Sequence, residues 1–453
     1  MGLLPLLGLA LLACEPQQHT HRPHDWASRE LSALRARRDL NVLFVLVDTL
    51  RADRLGAYGY RRETSPRLDA LAGRGVRFEN VESQSSWTKT SMASLWTSRY
   101  PSQTGVLRVY HALPQGAIVP AEILRRAGFQ TGGVVRNDWM QPTFGFDQGF
   151  DTYQRPTSIH PVAASHHNPI SERQETTDID ATDLAVAFIE KNRDRRFLLY
   201  IHYMDAHQYL FSDETPTFGT ELSDYYDSSV HWTDHNIGIL IDALERSDLT
   251  ERTIIVVASD HGEAFKEHAM MGHSSNLHRE VARVPLIIAL PGALEGVVVP
   301  QQIANIDIWP TLLDVLGLPP LAGADGRSLV PLILAAAAGD EPGELSERSL
   351  FAELDKRWAG RPDQEPIALT SVVDGGYRLI RNGSSPGKSL LYDLSVDPGE
   401  QRDIAAVEPE RVAELEAKID ELRSRPTSTL GKPPVVDLDP MKSLLQKLGY
   451  AVE

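Results

Sequence analysis

The sequence predicts an α/β fold in which a mainly parallel sheet is covered by helices on both faces. Short apolar runs rich in β-branched residues are typical of strands that are buried on both faces. Segments with helical periodicity separate these runs, so successive strands are expected to be parallel. The predicted strands are NVLFVLVDTL (41–50), GGVVRN (132–137), FLLYIHYMDAH (197–207), TIIVVASDHGE (253–263) and VPLIIALPG (284–292).

Helical periodicity marks three segments of the same region. SPRLDALAGRG (65–75) predicts a short amphipathic helix that a glycine closes. YYDSSVHWTDHNIGILIDALERS (225–247) predicts a longer helix, and IANIDIWPTLLDVLGL (303–318) predicts a return from strand to helix. These helices are expected to cover the faces of the predicted sheet.

A change of composition near residue 340 marks a predicted domain boundary. LAAAAGDEPGELSE (334–347) is rich in alanine, glycine and acidic residues. The short segments that follow it predict a small antiparallel sheet, and PERVAELEAKIDELRS (409–424) predicts a closing amphipathic helix. The predicted domains are therefore a catalytic domain over 39–340 and a C-terminal domain over 341–453.

The charge balance of the chain argues against nucleic acid as a partner. The 453 residues include 45 lysines and arginines and 62 aspartates and glutamates, which gives a formal charge of −17. A nucleic-acid-binding protein needs a basic face that releases counterions from the phosphates. No nucleic-acid partner is therefore expected.

The N-terminal residues predict export and a lipid anchor. Residues 1–14 are apolar but too few to span a bilayer, and they suit the apolar core of a signal peptide. They end in LLAC, which resembles a bacterial lipobox, and Cys14 is the sole cysteine of the chain. Lipidation of Cys14, followed by a polar linker over 15–38, predicts an exported cell-envelope lipoprotein that touches the membrane only through its anchor. The alternative is a buried N-terminal helix with an incidental thiol.

Acidic and histidine residues stand where two predicted strands end. Asp48 follows the first strand, and Asp260 and His261 follow the fourth. Ligands of such sheets bind beyond the carboxyl ends of the strands, so these side chains are expected to converge. Two carboxylates and an imidazole nearly complete a site for a divalent metal. The alternative is a set of polar side chains satisfied by the N-terminal amides of helices.

Three further residues extend this set. Asp205 and His207 lie two residues apart, so on a strand they would share a face and could complete a second metal site. A single metal is favoured over this second site. His273 lies in a glycine-flanked loop, where the alternative to a functional role is an ordinary polar surface group.

The stretch SSWTKTSMASLWTSRYPSQTG (85–105) is rich in hydroxyl groups and has helix-compatible spacing. A cation that stabilises an alkoxide makes a hydroxyl nucleophilic at neutral pH. A helix N-terminus also favours an anionic ester group. Thr88, Thr90 and Ser91 are therefore candidate nucleophiles, and spacing alone does not choose among them. The alternative is a helix cap rich in serine and threonine.

A series of motifs in this chain resembles the sulfatase family of the alkaline phosphatase superfamily. They occur in the order typical of that family, from about residue 40 to residue 402. The motifs are NVLFVLVDTLRADRLGAYGY, ETSPRLDALAGRGVRFENV, SSWTKTSMASLWTSRYPSQTGV, AGFQTGGVVRN, GFDQGFDTY, SDHGE, RVPLIIALPG, NIDIWPTLLDVLGL and LYDLSVDPGE. The resemblance implies an alkaline-phosphatase-like α/β/α sandwich followed by a small C-terminal antiparallel sheet domain.

Alignment with the family places Thr88 at the position of its nucleophile. TSRYP (97–101) is similar to the family's TGRYP, which assigns Lys89 to Met92 to the x-P-S-R positions after the nucleophile. The family converts a cysteine or serine there to formylglycine, a reaction that threonine cannot undergo. Thr49 stands where many sulfatases have a second metal-binding aspartate. The resemblance therefore implies a branch with an unmodified threonine, similar to superfamily members that form a phospho-threonine.

The resemblance also implies roles for the candidate residues. His207 and His273 are expected to bind the anionic oxygens of the substrate or to protonate the leaving group. Lys89, Arg136 and Asn137 are expected to assist in substrate binding, where the two basic residues replace the positive charge of the family's missing arginine. The predicted ligands of one divalent cation, Ca²⁺, Mg²⁺, Mn²⁺ or Zn²⁺, are Asp48, Thr88, Asp260 and His261.

The predicted function is hydrolysis of a sulfate or phosphate ester, with Thr88 attacking sulfur or phosphorus. The expected substrate is an anionic ester on a glycan, a lipid or a small molecule. One alternative is a non-catalytic binding protein that has kept the ligand groove of the fold. Another is a cell-envelope transferase of the phosphoethanolamine or phosphoglycerol type.

Overall fold

The computed structural model describes residues 25–160, 176–340, 348–356, 367–383, 385, 387–426 and 430–438. Cys14 and the predicted signal peptide lie outside these residues. Within the described ranges, no helix is both long enough and apolar enough to cross a bilayer.

The large domain is built on an eight-stranded sheet. Its strands follow one another in space as β10, β2, β9, β6, β1, β5, β3 and β4, while β7 and β8 pair only with each other. The bounds are β1 (Asn41–Val47), β2 (Val76–Glu82), β3 (Gln130–Val135), β4 (Thr152–Gln154), β5 (Phe197–Tyr203), β6 (Thr253–Ala258), β7 (Ala264–Phe265), β8 (Met271–Gly272), β9 (Arg283–Ala289) and β10 (Val297–Ala304).

Helices cover both faces of this sheet. One face packs against α1, α3, α5, α10 and α11, and the opposite face packs against α2, α6 and α8. The helices are α1 (Trp26–Ala36), α2 (Pro66–Gly73), α3 (Thr88–Thr97), α4 (Pro101–Thr104), α5 (Pro120–Arg126), α6 (Asp178–Lys191), α7 (Asp205–Gln208), α8 (Leu222–Arg246), α9 (Arg279–Ala282), α10 (Ile308–Val315), α11 (Val330–Ala338) and α12 (Pro409–Ser424).

The central strand β1 explains why the two layers form. Alternate side chains of a strand point to opposite faces of its sheet. Val42, Phe44 and Leu46 therefore enter one core, and Leu43 and Val45 enter the other. All five are fully buried, and burial of each such side chain contributes about 1.5–3 kcal/mol. The predicted α/β/α architecture is confirmed.

The sheet is mainly parallel, as predicted, and the strand of VPLIIALPG (β9) is the exception. β1, β3, β4, β5 and β6 run parallel, but β9 is antiparallel to both of its neighbours, β6 and β2. A parallel partner would need a crossover of a dozen or more residues, usually built around a helix. The segment between β6 and β9 instead contains the β7–β8 hairpin and only the four-residue helix α9.

The predicted linker over 15–38 is in part a helix. α1 buries Ala27, Leu31 and Leu34 in the same core as α10 and α11. These positions are spaced four and three residues apart, so they lie on one helical face. The polar residues between them hid this apolar stripe from composition alone.

A second sheet follows residue 340. It contains β11 (Leu350–Lys356), β12 (Ile367–Asp374), β13 (Tyr377–Asn382) and β14 (Ser389–Asp393), all antiparallel, and α12 packs against it. The chain then returns to the large domain, where Ala112 N donates to Pro434 O and Val436 N donates to Tyr110 O. Residues 430–438 therefore pack with the large domain, although the predicted boundary placed them in the small one.

Candidate active site

Four neighbouring parallel strands end at one edge of the central sheet. Asp48 directly follows β1, Asn137 lies two residues beyond β3, and Asp260 and His261 lie just beyond β6. One ligand atom each from Asp48, Asp260 and His261 lies within 4.8 Å of the other two. The structure thus brings together the three residues that the sequence placed at strand ends.

The carboxylate oxygens of Asp48 and Asp260 indicate a site for a cation. Asp48 and Asp260 are fully buried, yet Asp48 Oδ1 and Asp260 Oδ2 have no hydrogen-bond donor in the described structure. A buried carboxylate oxygen without a donor or a cation is costly. Two hard oxygens and an imidazole nitrogen suit a divalent metal, so the residues fit the predicted cofactor.

The local backbone of His261 prepares its ring for this role. Nδ1 lies 3.0 Å from Gly262 O and donates to it, so Nε2 is the nitrogen that faces Asp48 and Asp260. Gly262 is required because a Cβ there would lie only 2.2 Å from Glu280 O. The glycine of SDHGE thus allows the turn that places the imidazole at the end of β6.

Thr49 holds Asp260 through its main chain. Its φ is 60°, a left-handed conformation that is uncommon for a β-branched residue. In this conformation Thr49 N donates to Asp260 Oδ1 at 3.3 Å, and Tyr226 Oη donates to Thr49 O at 2.8 Å. Thr49 therefore holds Asp260, a predicted metal ligand, through its backbone amide.

The electrostatics of the site favour a positive charge between the carboxylates. Burial opposes the ionisation of Asp48, but the hydrogen bond from His202 and the nearby His207 and His261 hold the pKa of Asp48 below its usual range. Burial and the charge of Asp48 raise the pKa of Asp260 to about 6. One carboxylate of the pair thus ionises readily and makes ionisation of the other harder, an effect that a bound cation reverses.

The geometry selects Thr88 among the three candidate hydroxyls. Thr88 is the first residue of α3, and its Oγ1 lies 3.1 Å from His261 Nε2 and 3.5 Å from Asp48 Oδ2. Thr90 Oγ1 instead donates to Val106 O, and Ser91 Oγ donates to the main-chain oxygen of Asp260. Only Thr88 of these three directs its hydroxyl at the side chains of Asp48 and His261.

Besides the hydroxyl of Thr88, two further donors contact Asp48 Oδ2 and orient this carboxylate. Asn137 Nδ2 donates to Asp48 Oδ2 at 2.7 Å, and His202 Nε2 lies 3.1 Å from the same oxygen. Tyr200 Oη lies 2.9 Å from His202 Nδ1, an arrangement that leaves the Nε2 proton for Asp48. Asn137, predicted to bind substrate, thus orients a ligand carboxylate. His202 was missed because it lies inside an apolar strand.

The two predicted positive charges do not reach Thr88. Lys89 is fully buried, donates to Val109 O and lies 4.0–5.4 Å from the ring centroids of Trp87, Trp139 and Phe144. Burial holds the pKa of Lys89 well below its usual value. Its side chain packs among these rings, which contradicts the prediction that it binds substrate.

Arg136 and Asp205 bind each other. Arg136 Nη1 lies 2.5 Å from both Asp178 Oδ1 and Asp205 Oδ1, and all three side chains are fully buried. Asp205 Oδ2 accepts from Asp178 N and Trp232 Nε1. Both oxygens of Asp205 are therefore occupied, which contradicts the second metal site with His207, and Arg136 is neutralised rather than aimed at a substrate.

His207 and His273 lie beside the predicted metal ligands. The ring centroid of His273 is 4.5 Å from that of His261 and 5.0 Å from that of His207. Both residues are partly exposed, whereas Asp48 and His261 are fully buried. Burial lowers the pKa of His207 to about 4 despite the nearby Asp48, so His207 is neutral at pH 7. The two predicted catalytic histidines thus lie between the buried ligands and solvent.

Comparison of the sequence with family profiles identifies the family of this chain. The profile of the Sulfatase family matches residues 40–318, more than half of the chain. The chain belongs to the Sulfatase family. A second profile, described as the C-terminal part of N-sulphoglucosamine sulphohydrolase, matches residues 267–425.

Individual sulfatases and their structural neighbours match most of the chain. An ulvan-active sulfatase of Formosa agariphila is 26% identical over 471 residues, which cover 93% of this chain and 88% of the relative. Arylsulfatase K of Gallus gallus is 24% identical and covers 92% of this chain and 85% of its own. A solved phosphonate monoester hydrolase of Agrobacterium radiobacter has a TM-score of 0.71 at 22% identity, covering 85% of this chain and 96% of that one. The Sulfatase family assignment confirms the predicted class, a hydrolase of ester bonds.

Proposed function

We propose that this member of the Sulfatase family is a metal-dependent hydrolase of sulfate or phosphate esters that uses Thr88 as its nucleophile. One observation carries the proposal: Thr88 Oγ1 lies at the start of α3 within 3.5 Å of Asp48 Oδ2 and His261 Nε2. The donor-free oxygens of Asp48 and Asp260 are adjacent to it. A hydroxyl, a helix N-terminus and three ligands thus meet at one point.

Asp48, Asp260, His261 and Thr88 would hold the divalent cation. Such a cation supplies positive charge that favours the ionised form of a neighbouring hydroxyl. Asn137 and His202 fix Asp48 so that its Oδ1 faces the site. The fixed position of each group lowers the entropic cost of reaching the reactive geometry.

The reaction proceeds in two steps through Thr88. Thr88 Oγ1, whose proton has been lost to solvent, forms a bond to sulfur or phosphorus while the ester bond breaks. The electron pair of that bond stays on the leaving oxygen, which takes a proton from one of the two partly exposed histidines, His207 and His273. Water then hydrolyses the ester on Thr88 and releases the inorganic anion. Phosphorus accepts in-line attack by water readily, so a threonine ester suits phosphate transfer without formylglycine.

The substrate is proposed to be an anionic ester carried by a glycan. The support is that the ulvan-active relative and a neighbour solved with D-glucosamine-2-N,6-O-disulfate both act on or bind sulfated saccharides by name. The cation is proposed to be Ca²⁺, Mg²⁺, Mn²⁺ or Zn²⁺, since oxygen and nitrogen ligands accept all four.

The decisive assay compares Thr88→Ala with Thr90→Ala. Thr90 lies on the same turn of α3 but donates to Val106 O, so its variant controls for disturbance of the helix. Nitrophenyl sulfate, a phosphate monoester and a phosphodiester are each tested with every cation. Thr88→Ala is expected to lose activity, and Thr90→Ala to keep it within several-fold.

Mass spectrometry of the quenched wild type should find the sulfate or phosphate group on the Thr88 peptide. Turnover by Thr88→Ala would remove the nucleophile assignment.

Export and anchoring through Cys14 stay a prediction. Lipidation would move the chain into the detergent phase on phase separation, and Cys14→Ser would return it to the aqueous phase. Equal partitioning of the wild type and Cys14→Ser would contradict the predicted lipid anchor.

A further inference from the structure

Glu263 is a buried carboxylate that the reaction described above does not use. It follows His261 by two residues, and its side chain is fully buried at the start of the β7–β8 hairpin. Glu263 Oε1 lies 3.2 Å from His273 Nδ1, and Oε2 has no hydrogen-bond donor in the described structure. The carboxylate thus lies in the protein interior and contacts a partly exposed histidine of the site.

An ion pair with the nearby Arg51 does not explain why the carboxylate of Glu263 is buried. Arg51 contacts Glu263 only through the main-chain oxygen, to which its Nη1 donates at 2.7 Å. The guanidinium forms its ion pairs with Asp53 and Glu267. A buried carboxylate whose second oxygen lacks a donor costs free energy, so a functional contact is the better account of its position.

The contact sets the direction of the imidazole. In its ionised form Glu263 is only an acceptor, and His273 Nδ1 then donates its proton to Oε1. This contact fixes the ring and directs Nε2 away from Glu263. The ring lies 4.5 Å from the ring of His261, next to the proposed ester position.

His207 has a different neighbour. Its Nδ1 lies 3.3 Å from Gln208 Nε2, an amide nitrogen that can only donate. Nδ1 of His207 is therefore an acceptor, and Nε2 carries the proton of a neutral ring. A neutral ring suits a hydrogen bond to an anionic oxygen, whereas a ring paired with a carboxylate suits proton transfer.

We propose that Glu263 is a positioning residue that makes His273, rather than His207, the proton donor to the leaving group. The inference rests on the proposed function. As Thr88 Oγ1 bonds to sulfur or phosphorus, the ester bond breaks and its electron pair stays on the leaving oxygen. That oxygen takes the proton from His273 Nε2, and His273 keeps its Nδ1 proton against Glu263. In the second step the now neutral Nε2 accepts a proton from the attacking water, which restores the starting state.

The test measures how the rate depends on the leaving group. A nitrophenolate departs without a proton, whereas an alkoxide needs one. Glu263→Gln and His273→Ala are each assayed on a nitrophenyl ester and on the matching alkyl ester. In a single turnover, both variants are expected to lose roughly 100-fold more in the rate of leaving-group release from the alkyl ester than from the nitrophenyl ester, the usual size of a general-acid effect.

Glu267→Gln is the matched control, because Glu267 lies on the same hairpin and contacts Arg51 but not the histidines. It is expected to change both substrates by the same factor. An equal loss on both substrates in Glu263→Gln would reduce Glu263 to a structural role. A selective loss in His273→Ala without one in Glu263→Gln would overturn the inference and leave the proposed function intact. No selective loss in His273→Ala would overturn the donor assignment itself.

A spectroscopic measurement tests the contact without turnover. In the NMR spectrum of histidine-labelled protein, the Nδ1 proton of His273 is expected downfield, absent in His273→Ala and shifted upfield in Glu263→Gln. An unchanged resonance in Glu263→Gln would overturn the inference even for a protein that hydrolyses none of the esters.

Discussion

Two buried clusters of carboxylates lie at the same edge of the sheet, and they are balanced in different ways. The guanidinium cluster consists of Arg136, Asp178 and Asp205. The strand-end cluster consists of Asp48, Asp260 and His261. Each has two fully buried aspartates, but only the guanidinium cluster contains a permanent cation of the chain itself.

The difference appears in the oxygens. In the guanidinium cluster every carboxylate oxygen has a donor: Asp178 accepts from Met204 N and Asp205 N, and Asp205 accepts from Asp178 N and Trp232 Nε1, besides Arg136. In the strand-end cluster one oxygen of each aspartate has none in the described structure. The guanidinium cluster is complete without a ligand, whereas the donor-free oxygens of the strand-end cluster leave two acceptors for the proposed cation.

The largest expected effect comes from Asp260→Asn. Loss of a proposed ligand should lower kcat/KM by about 10⁴-fold, about 5 kcal/mol of transition-state stabilisation. In EDTA the free energy of unfolding should stay the same or rise, because the repulsion from Asp48 is removed. Urea denaturation and steady-state kinetics measure both. A loss of stability in EDTA comparable to that of a broken ion pair would contradict the comparison.

Arg136→Met should have the opposite pattern. Burial alone would lower the pKa of Arg136, but Asp205 and Asp178 raise it above its usual value, so the guanidinium is charged. Its removal leaves two buried carboxylates unpaired and should lower the free energy of unfolding by about 3–5 kcal/mol. Arg29→Met, which breaks the exposed pair with Asp25, should cost at most about 1 kcal/mol. Equal stability of the two variants in urea would show that the guanidinium cluster is not structural.

His202→Leu should weaken cation binding without removing a ligand. It deletes the donor that orients Asp48, and such changes cost about 10–100-fold in metal affinity. Tyr200→Phe removes only the hydroxyl that contacts His202 Nδ1, so a smaller loss is expected. Isothermal titration of the metal-free proteins ranks the two variants against the wild type. Wild-type affinity in His202→Leu would exclude a role for this residue at the metal.

The smallest effect is the pH dependence of cation affinity. The pKa of Asp260, about 6 beside the charged Asp48, lies above its usual value, so a proton occupies this carboxylate below pH 6 and must leave when the cation binds. Burial lowers the pKa of His261, but Asp260 and Asp48 raise it above its usual value, so this ligand must lose a proton as well. Affinity should therefore fall throughout the range as the pH is lowered, by about tenfold or more per pH unit below pH 6. Titrations from pH 7.5 to pH 5 measure this. Affinity that does not change over that range would contradict the proposed role of Asp260.

The same comparison explains what the sequence could predict. Asp48, Asp260 and His261 were predictable because each ends an apolar strand, and parallel strands bring their ends together. Asp205 also stands near a strand end, but its partner Asp178 arrives 27 residues away in the chain with the N-terminus of α6. The local sequence pattern therefore identified the acidic residues at strand ends. It did not show which of these carboxylates form an ion pair with another side chain of the protein.

Other errors have the same physical origin in long-range packing. Lys89 was expected to face substrate, but Trp139 and Phe144 enclose it from distant loops. His202 was overlooked within FLLYIHY, although a polar ring on the same strand face as Tyr200 was a usable signal. The direction of β9 depended on the hairpin that replaces a crossover helix, and short apolar runs do not encode direction.

Metal content of the purified protein tests the central claim most directly. Elemental analysis after dialysis, calibrated by protein concentration, should find one divalent cation for each wild-type chain and none in Asp48→Ala. Asp178→Asn, which alters the guanidinium cluster, should keep the cation as far as it folds. A wild-type protein that binds no divalent cation under any of the four metals, or an Asp48→Ala variant that retains one, would contradict the account.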